Sequence, residues 1–152
     1  MRNFFGKTAC FLALISPLFV QSQNLSGIWQ GTVRQSSGDS ILVFSYTLYV
    51  QQTGDQMVGT SWSYEELKPY FSEKKFTASK TGNEVVFQEE EILGESPAPN
   101  GPFWGLSYGN FQHDPETDEL TGELVFQEQS PVASSGMGRP LPFLRATVKL
   151  TR

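Results

Sequence analysis

Short runs of β-branched and aromatic residues recur along this chain, separated by clusters of glycine, proline, asparagine and aspartate. After residue 23, no segment keeps apolar residues at helical spacing for three turns. This pattern predicts an all-β fold without long helices, because a half-buried strand needs an apolar side chain only at every second position. The eight predicted strands lie at approximately 27–35, 41–52, 56–64, 70–80, 84–93, 103–112, 119–128 and 142–151.

The connections between these strands differ in length and composition. Residues 53–55, 81–83 and 114–118 have the chemistry of tight turns. The alternate connections are mostly longer, and 94–102 and 129–141 are rich in Pro, Gly and Ser. In an antiparallel meander, the tight turns share one end and the long loops share the other. We therefore expect an eight-stranded antiparallel up-and-down β-barrel with a base of turns and a looped mouth, since closure removes exposed sheet edges.

The first 22 residues are organised like a secretory signal. Arg2 and Lys7 precede an apolar run at 9–20, and that run is shorter than the roughly 20 residues of a membrane-spanning helix. We predict a cleaved signal peptide at 1–22 and one β-barrel domain at 23–152. The exported domain is then periplasmic or extracellular.

The composition argues against several partners. Removal of Arg2 and Lys7 with the signal leaves all 16 acidic residues, so the exported domain is more acidic than the net charge of −5 of the whole chain. An acidic domain does not favour nucleic acid or anionic membranes. The only cysteine, Cys10, lies in the signal, so no disulfide is expected. With one histidine, His113, we expect neither a metal site nor a cofactor.

Alternation of residue types assigns the face of each predicted strand that points into the barrel. Strand 4 has no cleanly apolar face. The predicted inward rows are Trp29, Gly31 and Val33 on strand 1; Leu42, Phe44, Tyr46, Leu48 and Val50 on strand 2; Val85, Phe87 and Glu89 on strand 5; Leu120, Gly122, Leu124, Phe126 and Glu128 on strand 7; and Leu144, Ala146, Val148, Leu150 and Arg152 on strand 8.

Gly27-Ile28-Trp29 opens the first predicted strand. Because strand 8 of a closed meander pairs antiparallel with strand 1, Trp29 and Arg152 should meet at the base, where a cation–π contact contributes about 0.5 to 2 kcal/mol. This arrangement resembles the lipocalin and wider calycin pattern, and avidins share the Gly-X-Trp motif. The chain lacks the Thr-Asp-Tyr motif of lipocalins and ends at Arg152 without their helix. A minimal bacterial lipocalin-like domain is the closest expectation.

Aromatic side chains are expected to surround the mouth of the barrel. In this interpretation they grip a small, partly apolar or ring-shaped ligand, such as an amphipathic lipid or a glycan. The alternative is that these rings fill a barrel that is packed solid. The aromatic residues predicted to bind the ligand are Phe44, Trp62, Tyr64, Trp104 and Tyr108.

Glu89 and Glu128 should lie near the mouth on strands 5 and 7, about 10 Å apart. A buried carboxylate must be paired, hydrated or protonated, so these two could orient hydroxyls or an amine of the ligand. We therefore expect an exported, non-enzymatic barrel that binds a small ligand. The alternatives are an outer-membrane or envelope barrel, and a glycosidase using Glu89 and Glu128 as acid and base. The simpler interpretation is that the two glutamates are solvated rim charges.

Overall fold

The computed structural model describes residues 23–37, 40–65, 70–96, 105–127 and 144–152. Its eight strands form one closed barrel in chain order, each antiparallel to the next, and the eighth pairs with the first. No helix occurs in these ranges, so the predicted fold class is confirmed. The strands are β1 (Gly27–Ser37), β2 (Ser40–Thr53), β3 (Gln56–Glu65), β4 (Tyr70–Thr81), β5 (Glu84–Glu95), β6 (Leu106–Asp114), β7 (Glu119–Gln127) and β8 (Leu144–Thr151).

Three tight turns close the base of the barrel. Gly54 and Gly82 both have φ of 61°, and Asp118 has φ of 53°, a conformation that Gly, Asn and Asp adopt most easily. At the other end, Ser37 and Ser40 are paired, so the β1–β2 connection is shorter than expected. The β5–β6 and β7–β8 connections are the long ones, as the sequence indicated.

The base half of the barrel is an apolar core. The inward rows of β1, β2, β5, β7 and β8 agree with the predicted rows over the described side chains, with two exceptions. Leu42 is 38% exposed at the mouth, and Arg152 is an exposed residue that lies just beyond β8. Trp29, Phe76, Phe87 and Phe111 are among the fully buried side chains of this core. The residual void between them is only about 10 Å³, too small for a ligand.

The faces of β3 and β6 differ from the prediction. Ser61 and Ser107 point inward, so Trp62, Tyr64 and Tyr108 lie on the outer surface. Towards the mouth, the inner positions of these two strands hold small residues, and a Cβ on Gly59 would lie 2.9 Å from the Phe76 ring. There the large residues of β3 and β6 do not mark the inner face, whereas Met57 and Phe111, nearer the base, point inward.

The residues that precede β1 cover the base. Leu25 is buried, and its carbonyl accepts a hydrogen bond from Trp29 Nε1 at 2.8 Å. Arg152 Cζ lies 5.3 Å from the Trp29 ring centroid, and its Nη1 donates to the Asn24 carbonyl at 2.8 Å. Gly27 lies beside Arg152 with φ of 137°, a conformation that favours glycine. The start and end of the described barrel are thus tied together.

Acidic and basic groups complete this base. His113 is buried edge-to-face against Trp29, at 5.9 Å between ring centroids, and its Nε2 lies 3.3 Å from Asp118 Oδ1. Asp118 Oδ2 accepts from Arg152 Nε at 2.8 Å. Lys80 Nζ donates to the carbonyl of Gln23, and burial lowers the pKa of Lys80. His113 is therefore part of the packed base and not only a turn residue.

Candidate functional site

Polar side chains occupy the interior between the apolar core and the mouth. Their strands position them there: β4 and β6 run from the mouth towards the base, so the first inward residues of each lie near the mouth. All of these side chains are buried. We call them the inner polar cluster, and its members are Tyr46, Ser61, Ser72, Lys74, Glu89 and Ser107.

Glu89 is the centre of this cluster. Its Oε1 accepts hydrogen bonds from Tyr46 Oη at 3.0 Å and from Ser61 Oγ at 2.6 Å. Its Oε2 accepts from Lys74 Nζ at 2.9 Å and from the backbone amide of Ser107 at 2.8 Å. The carboxylate is thus fully enclosed by donors, which is how a buried charge is tolerated.

Lys74 is the counter-ion of Glu89. Besides the carboxylate, its ammonium group donates to the Gly105 carbonyl at 2.7 Å and lies 5.8 Å from the Phe126 ring centroid. The side chains of Lys74 and Glu89 are only 1% and 0% exposed. Desolvation offsets most of the attraction in such a pair, so the attraction between its charges adds little net stability to the barrel.

The sheet is irregular on both sides of this pair. In the described residues, the β5–β6 ladder ends at Gln88 and Tyr108, and the Ser107 amide beyond it donates to the Glu89 side chain. The β4–β5 register shifts on each side of Lys74 and Lys75. Such bulges redirect side chains and are common beside functional sites.

A groove opens on the outer surface where β5 and β6 separate. Its volume is about 280 Å³, and Val86, Leu106 and Tyr108 line it. It reaches Glu89 and Ser107 at the end of the ladder. The groove therefore leads from the outer surface to the edge of the inner polar cluster.

Among the described residues, two hydroxyls of the cluster have no hydrogen-bond partner. They are Ser72 Oγ and Ser107 Oγ, in residues that are 0% and 1% exposed. Ser72 is the inward residue before Lys74 on β4, and the Ser107 amide binds Glu89. A buried hydroxyl without a partner costs about 1–3 kcal/mol. A polar ligand group that reached either hydroxyl would therefore be stabilising. At the base, His113 Nδ1 is also buried without a partner among the described residues.

Burial and the adjacent charge of Glu89 raise the pKa of Tyr46 well above its ordinary value of 10.0. The Ser61 hydroxyl opposes this rise but does not cancel it. Tyr46 therefore donates its proton to Glu89 throughout the physiological range.

This shift predicts a loss of stability in alkali. Above about pH 10 the unfolded chain loses the Tyr46 proton while the folded protein keeps it, so the free energy of unfolding falls as pH rises. In a tyrosinate absorbance titration, one of the five phenols should ionise only when the protein unfolds. The Tyr46→Phe variant should lack that late phase. Ionisation of all five phenols in the folded protein would contradict this expectation.

The structure brings together only part of the predicted ligand site. Phe44 and Glu89 point into the barrel. Trp62 stacks on Phe71 outside it, with ring centroids 5.8 Å apart, and Tyr64 is 45% exposed. Tyr108 lines the outer groove. Trp104 and Glu128 lie outside the described residues.

Sequence reasoning missed Lys74, Ser72 and Ser107. One signal was available: in strand 4, Phe76 and Ala78 are in phase with Ser72 and Lys74, which places these polar residues inside. Among the described residues, no group of three or more His, Cys, Asp or Glu could hold a metal ion. In the same ranges, no helix has the length and apolar character needed to cross a membrane.

The closed eight-stranded meander, with an indole and a guanidinium at its base, is consistent with a calycin-like fold. Comparison of the chain with models of protein families, with curated proteins and with solved structures gave no match.

Proposed function

We propose that this protein is an exported, non-enzymatic barrel of the lipocalin type that binds a small, partly apolar ligand at the mouth side of the inner polar cluster. The observation that carries the proposal is that the hydroxyls of Ser72 and Ser107 are buried without a partner among the described residues, in a cluster that also holds an ion pair. Polar groups of a bound ligand that reached them would satisfy them. Phe44 and Phe126, inward residues near the mouth ends of their strands, suit the apolar part of the ligand.

The contrast between the two halves of the barrel supports this function. The base half is filled with apolar side chains, so the fold has the means to pack its interior without polar groups. The mouth half instead holds Lys74 and Glu89, which contribute little net stability when paired. A binding role gives a reason for this arrangement that packing alone does not.

The geometry of Glu89 favours binding over hydrolysis. A glycosidase acid or base needs a carboxylate oxygen free to exchange a proton with the substrate. Both oxygens of Glu89 already accept two hydrogen bonds each, one of them from Lys74. Its suggested partner, Glu128, lies outside the described residues.

The outer surface supports a barrel in water over one embedded in an outer membrane. Membrane barrels need an outward apolar band, whereas the outward positions of β4, β7 and β8 carry many charges. These charged residues are Glu73, Lys75, Glu123, Arg145 and Lys149.

Export of the protein would follow from cleavage of the signal after Ser22. Recovery of the protein from the soluble periplasm or the medium, with Gln23 as its first residue, tests that step.

Native mass spectrometry of the protein purified from its source tests the binding function. We expect a non-covalent adduct on the wild type. The adduct should be absent from the Lys74→Met/Glu89→Leu variant, which removes both charges of the cluster together. The matched control is Lys75→Met/Glu91→Leu, the neighbouring Lys–Glu pair on the outer face of the same two strands. A wild type without adduct, or an adduct that persists in the inner variant, would contradict the proposal.

A further inference from the structure

We infer that the buried polar group of the ligand is uncharged, so that the site selects a neutral alcohol or amide over a carboxylate, a phosphate or an amine. This inference rests on the proposed binding function. It concerns the charge of a ligand group that reaches the Ser72 or the Ser107 hydroxyl.

The charges of the inner polar cluster already cancel. Lys74 Nζ and Glu89 Oε2 are 2.9 Å apart, and the second acceptor of the ammonium is a neutral carbonyl, that of Gly105. In the part of the interior that the structure describes, the other buried lysine is Lys80, which lies at the base and binds the Gln23 carbonyl. A charged ligand group would therefore find no unused counter-ion beside Ser72 and Ser107.

Burial of an uncompensated ion costs several kcal/mol, which is enough to exclude a ligand that is otherwise complementary. A carboxylate would also lie close to Glu89, and an ammonium close to Lys74. The unpartnered groups are hydroxyls, and each can donate one hydrogen bond and accept others. Hydroxyls of this kind match an alcohol or an amide, which likewise donates and accepts.

A matched series of four ring compounds tests the inference: toluene, benzyl alcohol, benzoate and benzylamine. They share one ring and differ in the group it carries, which at neutral pH is apolar, neutral polar, anionic or cationic. Titration calorimetry at pH 7 should show that benzyl alcohol binds at least about tenfold more tightly than benzoate and benzylamine, a difference of about 1.4 kcal/mol. Benzyl alcohol should also bind more tightly than toluene.

The Ser72→Ala/Ser107→Ala variant identifies the groups responsible. It should bind benzyl alcohol no better than toluene, with the toluene affinity unchanged. Its Tm should equal or exceed that of the wild type, because each substitution removes a buried hydroxyl that has no partner. The control is Ser79→Ala, which alters a serine on the outer face of the same strand and should change neither affinity nor Tm.

Benzoate or benzylamine binding as tightly as benzyl alcohol would overturn the inference, and so would the absence of binding by all four compounds. An unchanged preference for benzyl alcohol in the double serine variant would overturn it as well. The proposed function fails on a different result, the absence of a native adduct. A carboxylate or amine adduct on the wild type would keep the binding function and reject the neutral ligand group.

Discussion

Replacing Lys74 with methionine is expected to lower the free energy of unfolding by about 3–5 kcal/mol, because the substitution leaves Glu89 buried without a counter-ion. The hydrogen bonds from Tyr46, Ser61 and the Ser107 amide remain, but they do not supply a compensating charge. Urea denaturation followed by circular dichroism measures the loss.

The double variant Lys74→Met/Glu89→Leu should recover part of that loss, because no uncompensated charge stays buried. It should remain less stable than the wild type, because Tyr46 Oη, Ser61 Oγ and the Ser107 amide lose the acceptor of their hydrogen bonds. Lys75→Met, on the outer face of the same strand, should change stability by no more than about 0.5 kcal/mol. A single variant as stable as the wild type, or a double variant as unstable as the single one, would contradict this account.

Partial recovery of stability with loss of the adduct would separate the two roles of the pair. A residue kept for folding alone should lower stability whenever it is replaced. A residue kept for binding can be replaced with little or no loss of stability. The serines Ser72 and Ser107 are expected to behave in this second way.

The barrel could be predicted from sequence because its signals are local. Period-two patterning fixed the inner rows of five strands, and the Gly54 and Gly82 turns fixed the hairpins. The inner faces of β3 and β6 were missed because their inward positions hold small residues such as Gly59 and Ser61, which accommodate rings from other strands. At these inner positions, the size of the side chain that fits depends on a neighbouring residue that is distant in sequence.

The candidate site was less accessible for the same reason. Glu89 was recognised because it continues an apolar row, but its partners come from other strands: Lys74 is 15 residues away in sequence and Tyr46 is 43. The β4–β5 pairing that places Lys74 beside it contains two register shifts, which strand patterning does not reveal. The inner faces of five strands were predictable, whereas the partner across the barrel was not.

The largest stability effect at the base is expected for Trp29→Ala, which should lower the free energy of unfolding by about 3–5 kcal/mol. Trp29 is 0% exposed, and three groups depend on it: the Leu25 carbonyl, the His113 ring and the Arg152 guanidinium. Its removal leaves a cavity at the point where the segment before β1 meets the end of the chain. The loss is measured by urea denaturation.

Trp62→Ala is the matched control, since it removes the same side chain from the outer face, where only its stacking on Phe71 is lost, and should cost about 1 kcal/mol. Equal losses of unfolding free energy for the two tryptophan variants would show that the base does not hold the barrel closed.

Trp29→Ala should also weaken ligand binding less than Ser72→Ala/Ser107→Ala does, because the base lies at the opposite end of the barrel from Ser72 and Ser107. Loss of binding in a folded Trp29→Ala protein would instead couple the base to the mouth.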